Sequence, residues 1–294
     1  MATKTFTDTT DNILRLRDGR ALGYAEYGDP AGSPVLFFHG TPGSRLQRHP
    51  DASIARELGA RIITIDRPGY GLSDFQPKRT LLDWPADVAW LADALGIDRF
   101  AAIGLSGGGP YLLACAYAMP GRLSSAIVVS GMGPLGEPDA LEGVMPSMRL
   151  GLDVVRRVPW LARLALEPAA RLLRLNPVAV KKLIPVSMPR ADREAFARPD
   201  IQAIDQQDLS EAYRNGGQAL HREVILLTQP WGFHLGEIRT KIHLWHGEED
   251  TTVPVNLAKY VARTLPDCQP RFYPGEGHTL IYHYWREILT TALA

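Results

Sequence analysis

Two cysteines, Cys115 and Cys268, are all that the 294 residues contain. Two thiols make no disulfide framework, so the chain does not read as a small secreted scaffold, and a reducing cytoplasm is the expectation. Surplus charge of either sign is also missing, because 32 Lys and Arg balance 32 Asp and Glu. A nucleic-acid partner ordinarily needs a basic surplus on one face, so none is expected. No uninterrupted apolar run reaches the length of a membrane span, and stable membrane insertion is not expected either. The first ten residues are polar and lack the apolar stretch of a signal peptide. There is no internal repeat and no low-complexity tract. What these absences leave is a chain sized for one large α/β domain or two small ones.

The apolar residues are arranged in short continuous runs. Residues 34–38, 60–65, 100–103, 126–129, 242–245 and 269–273 read as strands without polar alternation, which means burial on both faces. Before them, residues 13–17 and 20–27 alternate around Asp18-Gly19 and read as an antiparallel hairpin. Helical segments lie between the strands, at 51–58, 85–95, 111–119, 255–265 and 280–293. This order predicts an open, mostly parallel sheet with helices on both faces.

One stretch breaks the rhythm. From Pro134 to about Trp231 no good strand is found, and prolines punctuate short amphipathic pieces at 150–161, 169–175 and 178–183. A longer helix is predicted over 209–227, weakened at Gly216-Gly217. Three parts follow: a first core segment over 1–133, an all-helical cap over 134–235, and a second core segment over 236–294. The cap is expected over the carboxyl edge of the sheet, where ligands bind in such folds.

The most informative residues are Gly104-Leu-Ser106-Gly-Gly108, between an apolar strand and an apolar helix. A serine on so tight a turn sits in a strained conformation that pushes Oγ outward, and the glycines give it room. Serine is a poor nucleophile at neutral pH and needs a base, an orienter for that base, and N–H donors for the oxyanion. Among Glu248, Glu249 and Asp250, Asp250 is chosen as the acid, because it lies furthest along the turn and just before a new helix. Glu248 and Glu249 are expected to be solvated. Glu137 and Asp139 lie too far past the preceding strand. His278, after a Gly-rich turn, is chosen as the base, giving the chain order Ser, Asp, His. His39 is expected to shape its own loop, and His243 to pack. His246 ends its strand, and His49, His221, His234 and His283 show no carboxylate in an obvious relation. Gly107 N–H and Thr41 N–H are the candidate oxyanion donors, since Pro42 has none. Cys115 reads as a small buried hydrophobe.

Together, His39-Gly-Thr-Pro-Gly43, Asp66-Arg-Pro-Gly-Tyr-Gly-Leu-Ser-Asp74, Gly104-Leu-Ser106-Gly-Gly108, Gly247-Glu-Glu-Asp250 and Gly277-His278 resemble the α/β-hydrolase superfamily over nearly the whole chain outside the insertion. The resemblance implies Ser106 as nucleophile, Asp250 as acid, His278 as base, and Thr41 and Gly107 as oxyanion donors, with no metal or organic cofactor. The His-Gly-Thr-Pro loop is not the His-Gly-Gly-Gly of hormone-sensitive-lipase-like esterases. It resembles that of epoxide hydrolases, whose nucleophile is an aspartate where Ser106 stands here. It also resembles proline iminopeptidases, whose usual elbow differs.

The expected activity is hydrolysis of a small hydrophobic ester through an acyl-enzyme. Val144, Met145, Met148, Leu150 and Leu152 would roof the site with apolar groups. Arg149, Arg156, Arg157, Arg163, Arg171, Arg174, Lys181 and Lys182 read as a solvated face, with docking to an anionic surface as the sharper alternative. Amide hydrolysis of the proline-iminopeptidase type, C–C bond hydrolysis and cofactor-free haloperoxidase-like chemistry use the same triad. A ligand receptor on a hydrolase scaffold is the non-enzyme alternative. A homodimer is compatible with the sequence.

Overall fold

In the computed structural model the structure describes residues 8–136 and 188–294, with isolated positions between 150 and 174. Eight strands form one sheet in the order β1-β2-β4-β3-β5-β6-β7-β8. They are β1 (Thr9–Arg15), β2 (Ala21–Gly28), β3 (Ser33–Phe38), β4 (Ala60–Ile65), β5 (Phe100–Leu105), β6 (Leu123–Val129), β7 (Ile242–Gly247) and β8 (Cys268–Tyr273). β2 pairs antiparallel with both β1 and β4, and every later pairing is parallel. The predicted hairpin and the predicted parallel run therefore both form.

Each parallel strand is apolar on both faces because each face meets a different helical layer. Leu36, Phe38, Ile63, Ile65 and Ala102 pack with α2 (Trp84–Ala94), α3 (Gly109–Ala118) and α7 (Val255–Thr264). Val35, Phe37, Ile62, Ala101 and Ile103 pack on the opposite side with α1 (Ser53–Glu57) and α8 (Leu280–Leu293). The alternation of neighbours between two cores is the strand period of two. Each fully buried Leu, Ile or Phe contributes roughly 1.5–3 kcal/mol. Cys115 is buried in α3 among these apolar groups, and burial raises its thiol well above its ordinary value.

Between β6 and β7 the described residues form no strand. They include the α-helices α4 (Arg190–Ala197), α5 (Pro199–Ala212) and α6 (Gln218–Thr228). The single helix expected over 209–227 is thus two helices. α5 starts ten residues earlier than expected, with Pro199 at its first turn, where a missing N–H costs nothing. It ends at Ala212, and Gly216 at φ +85° turns the chain before α6. The pieces expected over 150–161, 169–175 and 178–183 lie outside the described residues, isolated positions apart, as do Val144, Met145, Met148, Leu152, Glu137 and Asp139. Leu150, expected in the apolar roof, is 66% exposed. Arg157, Arg171 and Arg174 are exposed, as on a solvated face. Among the described residues no helix is long and apolar enough to cross a membrane.

Candidate active site

The candidate residues all follow the carboxyl ends of parallel strands. β5 runs directly into Ser106, which stands at φ +52°, a left-handed conformation that non-glycine residues rarely adopt. The turn needs its glycine: a Cβ on Gly108 would lie 2.1 Å from Phe38 O, so only glycine lets the new helix start this close to β3. The helix α3 follows at once, so the N–H groups of its first turn point towards the space beside Ser106. The side chain of Ser106 is almost fully covered.

After β7, Asp250 is buried with its two oxygens divided between tasks. Oδ1 accepts from Thr252 N–H and Val253 N–H, both at 2.8 Å, which closes the turn before α7. Oδ2 lies 2.8 Å from Nδ1 of His278. That contact places the Nδ1 proton on the bond to the carboxylate and leaves Nε2 as the free basic nitrogen. Burial disfavours a charged His278, but the Asp250 carboxylate beside it outweighs burial and raises its pKa above the ordinary 6.5. His278 is 20% exposed at its side chain, so it reaches the surface of the site. Glu248 and Glu249 are exposed, as expected of a solvated turn.

The loop after β3 faces the elbow. An added Cβ on Gly107 would lie 2.0 Å from Thr41 Oγ1 and 3.3 Å from Thr41 N, so the two candidate oxyanion donors stand side by side. The Thr41-Pro42 peptide bond is cis. His39 is a structural member of this loop, as expected. Its Nε2 accepts from Arg67 N–H at 3.2 Å and its Nδ1 lies 2.8 Å from Gly40 O. Burial, and then the neighbouring Arg67, hold it well below the ordinary imidazole value, so it stays neutral.

Several residues that hold the site were not anticipated. His246 is buried against Asp250, with Nε2 3.5 Å from Oδ2 and 2.8 Å from Val253 O. His283, expected to lack a carboxylate, sits 2.8 Å from Glu276. The inserted helices supply three buried acids. Glu223 of α6 accepts from Arg67 Nε at 2.7 Å, Tyr70 OH at 2.6 Å and Thr41 Oγ1 at 2.9 Å. Arg67 in turn donates to the carbonyls of His39 and Gly40. Burial would raise Glu223, but Arg67 and Arg79 outweigh it and hold its carboxyl down to about 2. Asp208 of α5 accepts from Ser44 N–H at 2.6 Å and from Gln47 Nε2 at 3.0 Å, while Gln47 Oε1 accepts from Gly40 N–H at 2.6 Å. Asp192 of α4 accepts from the main chain beside His278. Only a partner far away in sequence distinguishes these acids from ordinary polar positions of a helix.

Among the described residues no group of three His, Cys, Asp or Glu is placed to hold a metal ion. A family model described as alpha/beta hydrolase fold matches residues 33–283. The chain is 28% identical over 257 residues to a 2-hydroxy-6-oxo-6-phenylhexa-2,4-dienoate hydrolase of Burkholderia cepacia, covering 84% of this chain and 82% of that one. It is 37% identical over 121 residues to a non-heme chloroperoxidase of Streptomyces lividans, spanning 40% of this chain and 44% of the relative. An esterase of Exiguobacterium antarcticum superposes with a TM-score of 0.71 over 97% of this chain and 100% of the other, at 18% identity, which is a likeness of fold.

Proposed function

The chain belongs to the alpha/beta hydrolase fold family, and from that premise we propose that it is a serine carboxylesterase acting on small hydrophobic esters. The observation that carries the proposal is the 2.8 Å contact between His278 Nδ1 and Asp250 Oδ2, on the same sheet edge as a serine held at φ +52°. Ser106 Oγ attacks the ester carbonyl while His278 Nε2 takes its proton. Asp250 keeps the imidazole in the tautomer with Nε2 free and stabilises its charged form. The N–H groups of Thr41 and Gly107 receive the oxyanion. The protonated imidazole then gives its proton to the leaving alcohol, and a water activated by the same nitrogen releases the acyl group and restores Ser106. The described helices of the insertion, α4, α5 and α6, bear on this edge through Asp192, Asp208 and Glu223, and in this reading they help to set which esters enter.

A chain-length series of p-nitrophenyl esters tests this reading. Ser106→Ala should lower turnover by on the order of 10⁴-fold or more with the fold intact. A folded Ser106→Ala protein with undiminished turnover refutes it. The second reading is C–C bond hydrolysis by the same triad, favoured by the match to the dienoate hydrolase, which covers most of both chains. Turnover of a 2-hydroxy-6-oxo-dienoate far above that of any ester would select it.

A further inference from the structure

The main chain at His278 is gripped from outside the strand that leads to it. Asp192 belongs to α4, 86 residues earlier in the sequence, and its side chain is 2% exposed. Its Oδ2 accepts from His278 N–H at 3.0 Å. Its Oδ1 accepts from Thr279 N–H at 2.8 Å and from Thr279 Oγ1 at 2.7 Å. An added Cβ on Gly277 would come within 2.4 Å of the same carboxylate, so the glycine before His278 is what lets Asp192 seat there. Among the described residues no Lys or Arg pairs with Asp192. Its partners are the amides and hydroxyl at the start of α8, where the helix dipole also favours a negative group.

A carboxylate serving only as a helix cap could come from α8's own N-terminus, as most do. This one comes from the inserted helices and binds the N–H of the candidate base itself. Two acids therefore bear on His278 from opposite parts of the chain: Asp250 holds the ring and Asp192 holds the backbone.

We propose that Asp192 is a positioning residue: it fixes the His278 main chain so that the imbedded ring meets Asp250, and its charge favours the protonated imidazole formed when Ser106 is deprotonated. The proposal rests on the esterase reading for the identity of the base. The ionisable groups facing the ring are Asp250 and His246 from the end of β7 and its turn, and Asp192 from α4. With Asp192 neutralised, the ring should release its proton at lower pH.

The test is Asp192→Asn, nearly isosteric and uncharged, with Asp192→Ala beside it, on p-nitrophenyl acetate. For the Asn variant, kcat should fall on the order of 10- to 100-fold, as for a misplaced reacting group, while KM changes little. The acid limb of the kcat/KM profile should move to lower pH. A folded Asn variant with unchanged kcat and an unchanged limb overturns the proposal. A variant that loses the fold instead marks Asp192 as a structural cap and overturns it too. Titrating the imidazole by NMR in the full-length protein, with His278→Gln as the assignment control, separates this from the esterase reading. A downward shift in a protein that hydrolyses no ester supports Asp192 and removes the esterase. An unshifted ring in an active esterase removes Asp192's role alone.

Discussion

The sheet and the inserted helices hold the same site by different physics. On the sheet side the work is done by apolar packing and backbone geometry. Ala102 and Ile103 of β5 and Leu244 and Trp245 of β7 are buried to within a few per cent, on the strands from which Ser106 and Asp250 emerge. On the inserted side it is done by buried carboxylates: Glu223 on the Arg67 and Thr41 cluster, Asp208 on Ser44 and Gln47, and Asp192 on His278 and Thr279. Apolar burial is non-directional and tolerates changes that conserve volume. A buried charge adds little net stability yet punishes the loss of its partner heavily, because the survivor is left uncompensated. The sheet side should therefore degrade gradually under substitution and the inserted side abruptly.

The largest expected effect tests the sheet side where it meets the chemistry. Asp250→Asn keeps the shape of the turn but removes the charge facing His278 and favours the wrong tautomer. It should lower kcat for an aryl ester by about 10⁴-fold. A loss below about tenfold would mean that the Asp250–His278 contact is structural only.

Much of that side was legible from the chain alone. Continuous runs such as 34–38 and 60–65, short and rich in β-branched or aromatic residues, read as strands covered on both faces, and the glycines around Ser106 announce a turn with no room for Cβ atoms. Asp250 and His278 stand out in the sequence because each follows a strand in the required order, and the structure brings the two together. Glu223 left no such trace. In Gln218–Thr228 it sits between Arg222 and Val224, like any polar position of an amphipathic helix. Its burial is set by Arg67, which is 156 residues away. Asp192 and Asp208 were missed for the same reason, and His283 because its partner Glu276 lies seven residues back across the turn. The extent of α5 was missed because its first ten residues are mostly polar, with Ile201 and Ile204 as their only large apolar groups.

Glu223→Ala sharpens the contrast. It strands the guanidinium of Arg67, which is fully buried, and should cost about 3–5 kcal/mol. Ile63→Val, at an equally buried position of the sheet, should cost only about 0.5–1.5 kcal/mol. Both can be read from urea denaturation. If the two losses were equal, the inserted side would be no more brittle than the sheet.

The smallest effects are those of pH, and they separate the two sides without mutation. His278 must be neutral to accept the Ser106 proton, and Asp250 raises its pKa above 6.5, so kcat/KM should fall as pH drops through a midpoint above that value. Of the carboxylates on the inserted helices, Glu223 titrates far below this range. Glu223 is held to about 2 in the folded chain against an ordinary 4.5, so its contribution is complete above about 4.5 and is lost only as pH falls towards 2. Asp208 has the opposite sign: burial, against the Ser44 hydrogen bonds, lifts it to about 7 from 3.8. The folded form then holds a proton that the unfolded chain has released, so Asp208 weakens the fold as pH rises from about 4 to 7 and adds no further change above that. Activity should accordingly be lost and regained reversibly between neutral pH and about 5 with no change in near-UV circular dichroism, because Glu223 stays ionised in that interval and Asp208, as it takes up its proton, only strengthens the fold. If the spectrum instead changed together with kcat/KM, the activity loss would belong to the docking of the inserted helices and not to His278, and the division between a packed side and a charged side would fail at the base itself.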